Sequence, residues 1–153
     1  MSNALTVANE LLWKTAYRGH PRTARQLQLD LYLLQVMALL ETQSSLIHGE
    51  RFCKTPSGPQ LLTVQQIYPP TRTTVLLQPQ LKDRQQQVIP PLDLIPQLFM
   101  GTHLAAILPY SVLQLQTYFQ QEPQSQNLAS RYYSDVQAYN FYKDPEHRFW
   151  EKH

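Results

Sequence analysis

The chain has 153 residues, 42% hydrophobic and 16% charged, with a formal net charge of +2. That is material for one compact domain and too little for two comfortable ones. The near balance of charge excludes the strong basic excess of a dedicated nucleic-acid binder, and a single cysteine, Cys53, excludes an internal disulfide and points to a reducing compartment.

The N-terminal stretch lacks a charged n-region and a small-residue cleavage site, so no signal peptide is expected there. The apolar run at 104–108 is broken by Pro109 and is too short to span a bilayer. A cytoplasmic location is the expectation. Glutamine recurs about 20 times and takes the solvating role usually filled by Lys and Glu. A surface so sparsely ionised pays little desolvation when another protein covers it.

Leu5, Ala8, Leu12 and Ala16 recur at helical spacing, with Leu11 and Trp13 widening the stripe. Gly19 stands where a left-handed residue ends such a helix, and Pro21 prevents its return. Thr23-Ala-Arg-Gln26 matches a capping box that opens a second helix, with Leu27, Leu31, Leu34 and Ala38 on one face. Two antiparallel helices joined by a short turn are therefore predicted. Residues 42–56 show no period beyond the pairs Leu46-Ile47 and Phe52-Cys53.

Ser57-Gly58-Pro59 is expected to start a helix with proline at its first position. Leu61, Val64 and Tyr68 would line its buried side, and Pro69-Pro70 would stop it. The β-branched stretch 73–77 predicts a strand, 82–87 a solvated turn, and Val88-Ile89 a returning strand.

After Pro90-Pro91, Leu92, Ile95, Phe99 and Leu104 predict a third core helix ended by Pro109. Ser111-Val-Leu-Gln114 is a second capping-box match, followed by the apolar face Val112, Leu115 and Phe119. A polar linker over 120–126 leads to a helix over 128–142 with Leu128, Tyr132 and Val136 in register. Asp144-Pro145 caps a last turn holding Phe149 and Trp150. The sum is a mainly α, single compact helical domain with a small β-hairpin insertion in the middle: a helical domain over 1–143 and an aromatic C-terminal tail over 144–153.

The five histidines and Cys53 lack the short spacings of a metal site, so no metal is expected. Cys53 with His103 is a conceivable thiol–base pair, but an isolated cysteine beside Phe52 fits a small buried hydrophobe better. There is no G-x-S-x-G elbow, and four glycines leave little for a phosphate-cradling loop. The chain is therefore read as a non-enzyme without a cofactor.

Two groups remain as contact candidates. Lys14, Arg18, His20, Arg22 and Arg25 form a basic cluster at the helical corner, suited to an acidic protein surface, to phosphate, or simply to solvent. Tyr132, Tyr133, Tyr139, Phe141, Tyr142, Phe149 and Trp150 crowd the C-terminal end, suited to a protein interface or to the chain's own core. The partner-contact set is Lys14, Arg18, Arg22 and Arg25 at the corner, with Tyr139, Tyr142, Phe149 and Trp150 in the tail. Removing residues 141–153 is expected to abolish partner capture and to leave the fold intact.

The order of these features resembles the Panacea domain, a family of antitoxins. The family's Ala-x-x-Val-Ala-Asn-like helix with a closing Trp-Lys pair corresponds to Ala4, Val7, Ala8, Asn9, Trp13 and Lys14. Its threonine-led helix with a Lys-Leu-Gln-Lys-Leu-Leu-Tyr pattern corresponds to Thr23 and then Gln26-Leu27-Gln28-Leu29-Asp30-Leu31-Tyr32. Both lysines are replaced, by Gln26 and Leu29, and Asp30 stands where leucine is usual. A later Gly-Pro appears as Gly58-Pro59, and the likeness covers about the first 70 residues. The resemblance implies a bacterial or phage protein, of a family common on prophages, that neutralises a toxin by binding it or carries it to a protease. A structural or accessory subunit of a secretion or phage assembly and a nucleic-acid-binding regulator are the rival readings; the surface also admits homo-oligomers, and no membrane partner is expected.

Overall fold

The first helical hairpin forms as its residues dictate. In the computed structural model, which describes residues 2–70 and 74–151, α1 spans Ala4–Tyr17 and buries Ala4, Val7, Ala8, Leu11, Leu12 and Thr15. It ends in a Schellman motif: the His20 amide donates to the Thr15 carbonyl (2.8 Å) and the Gly19 amide to that of Ala16 (3.0 Å). Gly19 sits at φ +77°, which a residue without Cβ adopts at no steric cost. Thr23 then caps α2, Ala24–Thr42, its hydroxyl accepting the Gln26 amide. Only this half of the expected capping box forms, because Gln26 turns its own side chain to Asp30 and to the Tyr110 carbonyl.

α2 is the axis of the molecule. Fifteen of its 19 residues are buried, because apolar residues surround the helix and a one-sided packing would leave many of them wet. β1 (Cys53–Thr55) and β2 (Gly58–Gln60) form an antiparallel hairpin that pairs Cys53 with Gln60 and Thr55 with Gly58. The helix predicted to open at Ser57 is displaced by this hairpin and begins only at α3, Leu62–Ile67. The reason lies at Gly58: its φ of +107° is foreign to a helix, and an added Cβ would stand 3.0 Å from Leu29 Cδ2. The hairpin therefore lies flush on α2. Leu61, Val64 and Tyr68 are buried as predicted.

The strand expected over 73–77 does not form across 74–77; Thr73 lies outside the described residues. This stretch is a strap pinned by the Leu77 amide, which donates to the Arg22 carbonyl (2.7 Å). The returning strand at Val88-Ile89 shrinks to one bridge between Lys82 and Val88. Leu81 and Val88 are both 72% exposed, and a strand pair with nothing to pack against is marginal in water.

α4 spans Leu94–Ile107 and buries Met100, Leu104 and Ile107, whereas Ile95, read as core, is 80% exposed. Asp93 stands at the N-cap, so Pro96 falls in the first turn, where no helical hydrogen bond is lost. α5, Val112–Gln120, opens with the complete Ser111–Gln114 capping box and buries Leu115 and Phe119. α6 covers only Asp135–Tyr142. Its expected start at Leu128 fails because 131–133 runs beside β1, where the Lys54 amide donates to the Arg131 carbonyl (2.9 Å) and that of Tyr133 to Phe52 (2.8 Å). Leu128 and Val136 consequently remain exposed.

The core is one cluster around α2 to which α1, α3, α4, α5 and α6 all contribute. Its last contributor is Phe149, in a short 3-10 turn, Phe149–Glu151, near the C-terminus. Among the described residues no single helix is long and apolar enough to cross a membrane; α4 and α5 are apolar enough only together, and they bend by 99°.

Candidate functional site

The α1–α2 corner divides the basic cluster in two. Arg22 is buried, with its Nε 3.0 Å from Asp30 Oδ2. The approach is off the N–H axis, so the contact is an ion pair without a hydrogen bond, and among the described residues the Arg22 Nη2 has no hydrogen-bond acceptor. Arg25 is half-buried, with its Nε shielded from solvent. Lys14 and Arg18 face outward instead, Lys14 pairing with Glu10 at 3.4 Å, and His20 is exposed beyond them. Four of the expected contact residues thus split into an inner pair and an outer pair.

Beside the outer pair stand two aromatic rings absent from the predicted contact set. Trp13 is 58% exposed and Tyr17 93% exposed. Their spacing of four places both on the side of α1 opposite Ala4, Ala8 and Leu11. Trp13 widens the apolar stripe by hydrophobicity, yet it lies on the outer period 10, 13, 14, 17 that also carries Glu10 and Lys14. That period was the available signal. Hydrophobicity outweighed it.

The C-terminal aromatics mostly point inward. Tyr142 and Phe149 are buried at 1% and 7% exposure, and Tyr139 and Trp150 are half-buried. Phe149 stacks on Tyr118 at 4.0 Å between ring centres, and Trp150 lies 5.5 Å from Tyr142. The tail over 144–151 therefore completes the core, and a chain cut at 141 would lose Tyr142 and Phe149 from it. The placement withdraws Arg22, Tyr142 and Phe149 from any contact surface of this conformation.

The supposed linker over 120–126 contains the most deeply buried acid of the C-terminal half. Glu122 is 0% exposed. It accepts the Tyr32 hydroxyl at 2.7 and 2.8 Å, that of Tyr142 at 3.1 Å, and the Gln124 amide at 2.7 Å. Burial pushes its carboxyl above the ordinary range, and the hydrogen bonds from Gln124, Tyr32 and Tyr142 oppose the shift. Gln124 also accepts the Ser134 amide (2.7 Å) and so fixes the start of α6. This is an internal tie with no access for a substrate.

Cys53 and His103 do not meet. The Cys53 thiol contacts the Gln60 carbonyl at 3.2 Å, and burial raises its pKa, which disfavours thiolate. His103 stacks on Phe99 and bridges the Phe99 carbonyl (2.8 Å) and Glu41 (2.6 Å). Among the described residues no group of three or more His, Cys, Asp or Glu is placed to hold a metal ion. A groove of about 500 Å³ runs between the α2 C-terminus and the start of α4, floored by Leu46, Leu92 and Phe99. Its Asn3 and Thr42 side chains are engaged with the Leu46 and Ala38 carbonyls.

No protein-family model, curated protein or solved structure matches the chain.

Proposed function

We propose that the chain is a non-enzymatic protein-binding module of the antitoxin-like kind, which covers a toxin or delivers it to a protease as an adaptor. One observation carries the reading: Trp13 and Tyr17 are exposed together on the outer side of α1, next to Lys14 and Arg18. Trp, Tyr and Arg dominate binding hot spots because they bury large area at small entropic cost. Covering two such rings is worth about 2–3 kcal/mol each. The flanking cations favour an acidic surface on the partner. The resemblance to the Panacea domain points to the same helix, since the family's Trp-Lys pair corresponds to Trp13 and Lys14.

A nucleic-acid partner is less well supported. With Arg22 paired to Asp30 in the interior, the outward cations of the cluster reduce to few, and few phosphates could be neutralised.

The test is affinity capture from the native host with the tagged chain and with a Trp13→Ala/Tyr17→Ala variant. The expected result is one small protein held by the parent chain and bound about 1000-fold more weakly by the variant, corresponding to roughly 4 kcal/mol. Unfolding midpoints should coincide, because exposed side chains contribute little to stability. Equal retention of the same proteins by both chains overturns the assignment to this corner. Isolation within a stoichiometric multi-protein complex overturns the antitoxin reading in favour of an assembly subunit.

A further inference from the structure

The outer side of α4 carries a pattern that neither the core nor the α1 corner uses. Leu94, Ile95 and Leu98 are 68%, 80% and 62% exposed, and Thr102 and Ala105 are exposed with them. Leu94, Leu98, Gly101 and Ala105 follow one another at steps of four, three and four, the spacing of a coiled-coil seam. The seam runs along one flank of that outer side, about a third of a turn round the helix from the buried Met100, Leu104 and Ile107. No ionisable side chain lies on it. Its one hydroxyl, that of Thr102, already donates to the Leu98 carbonyl at 2.9 Å, so burial of the face would strand no hydrogen-bond donor there.

The order of sizes along the seam selects an occupant. The two large residues stand at its N-terminal end and the two small ones at its C-terminal end. A two-fold axis requires one patch to complement itself. Two copies of α4 laid antiparallel about a point between Leu98 and Gly101 bring Leu98 of each over Gly101 of the other. The same operation sets Leu94 against Ala105. Large meets small at every level of the seam, as close helix packing requires. Gly101 has open space where a Cβ would lie, with no atom of another described element within 4 Å, so a side chain from outside can seat there.

We propose that the outer face of α4 is the interface of an antiparallel homodimer, the second copy of this chain being its occupant. With each exposed aliphatic side chain offering about 100 Å², the seam and its flanks supply on the order of 400 Å² per copy, half of the ~800 Å² of a standard interface. The dimer is therefore weak and reversible. This site is separate from Trp13 and Tyr17, and the proposal stands whether or not the α1 corner binds a partner.

The experiment is sedimentation equilibrium of the full chain from micromolar to millimolar concentration. The parent chain should move from one copy to two and stop there. Gly101→Leu fills the receiving hollow and should leave the protein monomeric, with folding intact because the position is open. Combining it with Leu98→Ala exchanges large for small across the axis and should restore the dimer. Trp13→Ala/Tyr17→Ala should leave the self-association unchanged. A parent chain that stays monomeric throughout overturns the proposal, as does one that grows beyond two copies. Unaltered association in Gly101→Leu, or a double variant that remains monomeric, overturns it equally.

Discussion

α2 and α4 are both apolar helices, and they meet opposite fates. α2 is enclosed on every side, and each polar residue it carries inward has been given a partner from a different loop. Gln28 donates to the Leu61 carbonyl and accepts the Leu61 amide. Gln35 accepts the Leu46 and Ile47 amides and donates to Asp135. Tyr32 reaches Glu122, and Asp30 holds Arg22. α4 has an enclosed side as well, but Leu94, Ile95 and Leu98 on its outer side are left exposed by the described residues. The difference teaches that apolar character alone does not place a helix in the middle. What encloses α2 is a set of loops fastened to its polar residues, since buried amides and carboxylates demand partners.

The strongest way to break the comparison is to cut one of those ties. Glu122→Ala leaves the Tyr32 and Tyr142 hydroxyls and the Gln124 amide without their acceptor. At ~1–3 kcal/mol for each buried unsatisfied group, a loss on the order of 4 kcal/mol is expected in urea unfolding. A loss below about 1 kcal/mol would mean that water replaces the carboxylate and that the tie is dispensable.

Next in size is a leucine on each helix. Leu34 is 0% exposed and Leu98 is 62% exposed. Leu34→Ala should cost about 3 kcal/mol through lost contacts and a cavity, and Leu98→Ala no more than ~0.5 kcal/mol in the monomer. Equal costs, read as urea midpoints at low protein concentration, would erase the distinction between the two helices.

The probe that needs no substitution is pH. Burial pushes the Asp30 carboxyl from 3.8 up to about 7, with the Arg22 guanidinium opposing the shift. A carboxyl raised in the folded state binds more protons folded than unfolded. Its contribution is complete below the unfolded value and is lost as pH rises through the folded one. Stability should therefore decline between about pH 4 and pH 7, with a slope of up to about 1 kcal/mol per pH unit. Glu122, also raised by burial, adds in the same direction. Asp30→Asn should flatten most of the slope, and a midpoint that climbs over this interval would show that Arg22 keeps Asp30 ionised.

How legible the rest was depends on the range of the interactions concerned. Gly19, Thr23 and Ser111 announced helix ends correctly, because caps and Schellman turns involve residues within a few positions of one another. Ser57-Gly58-Pro59 misled because what decides its hairpin is contact with Leu29, distant in the chain. The start of α6 misled for the same reason, its neighbours being Phe52 and Lys54. The candidate contact surface was half legible. Lys14 and Arg18 stand where the helical period puts them, whereas Arg22 follows Asp30 inward and the tail aromatics follow Tyr118 and Glu122.

By itself the order of residues determined the class of the fold, the N-terminal hairpin, the α5 capping box and the residues that form most of the core. Those depend on local periodicity and on short-range hydrogen bonds. Only the tertiary structure decided which polar residues are interior, which aromatics remain outside, and which of two apolar helices becomes the axis. Burial is set by what the rest of the chain brings alongside, and a buried amide or carboxylate chooses its site by finding a partner far away in the sequence.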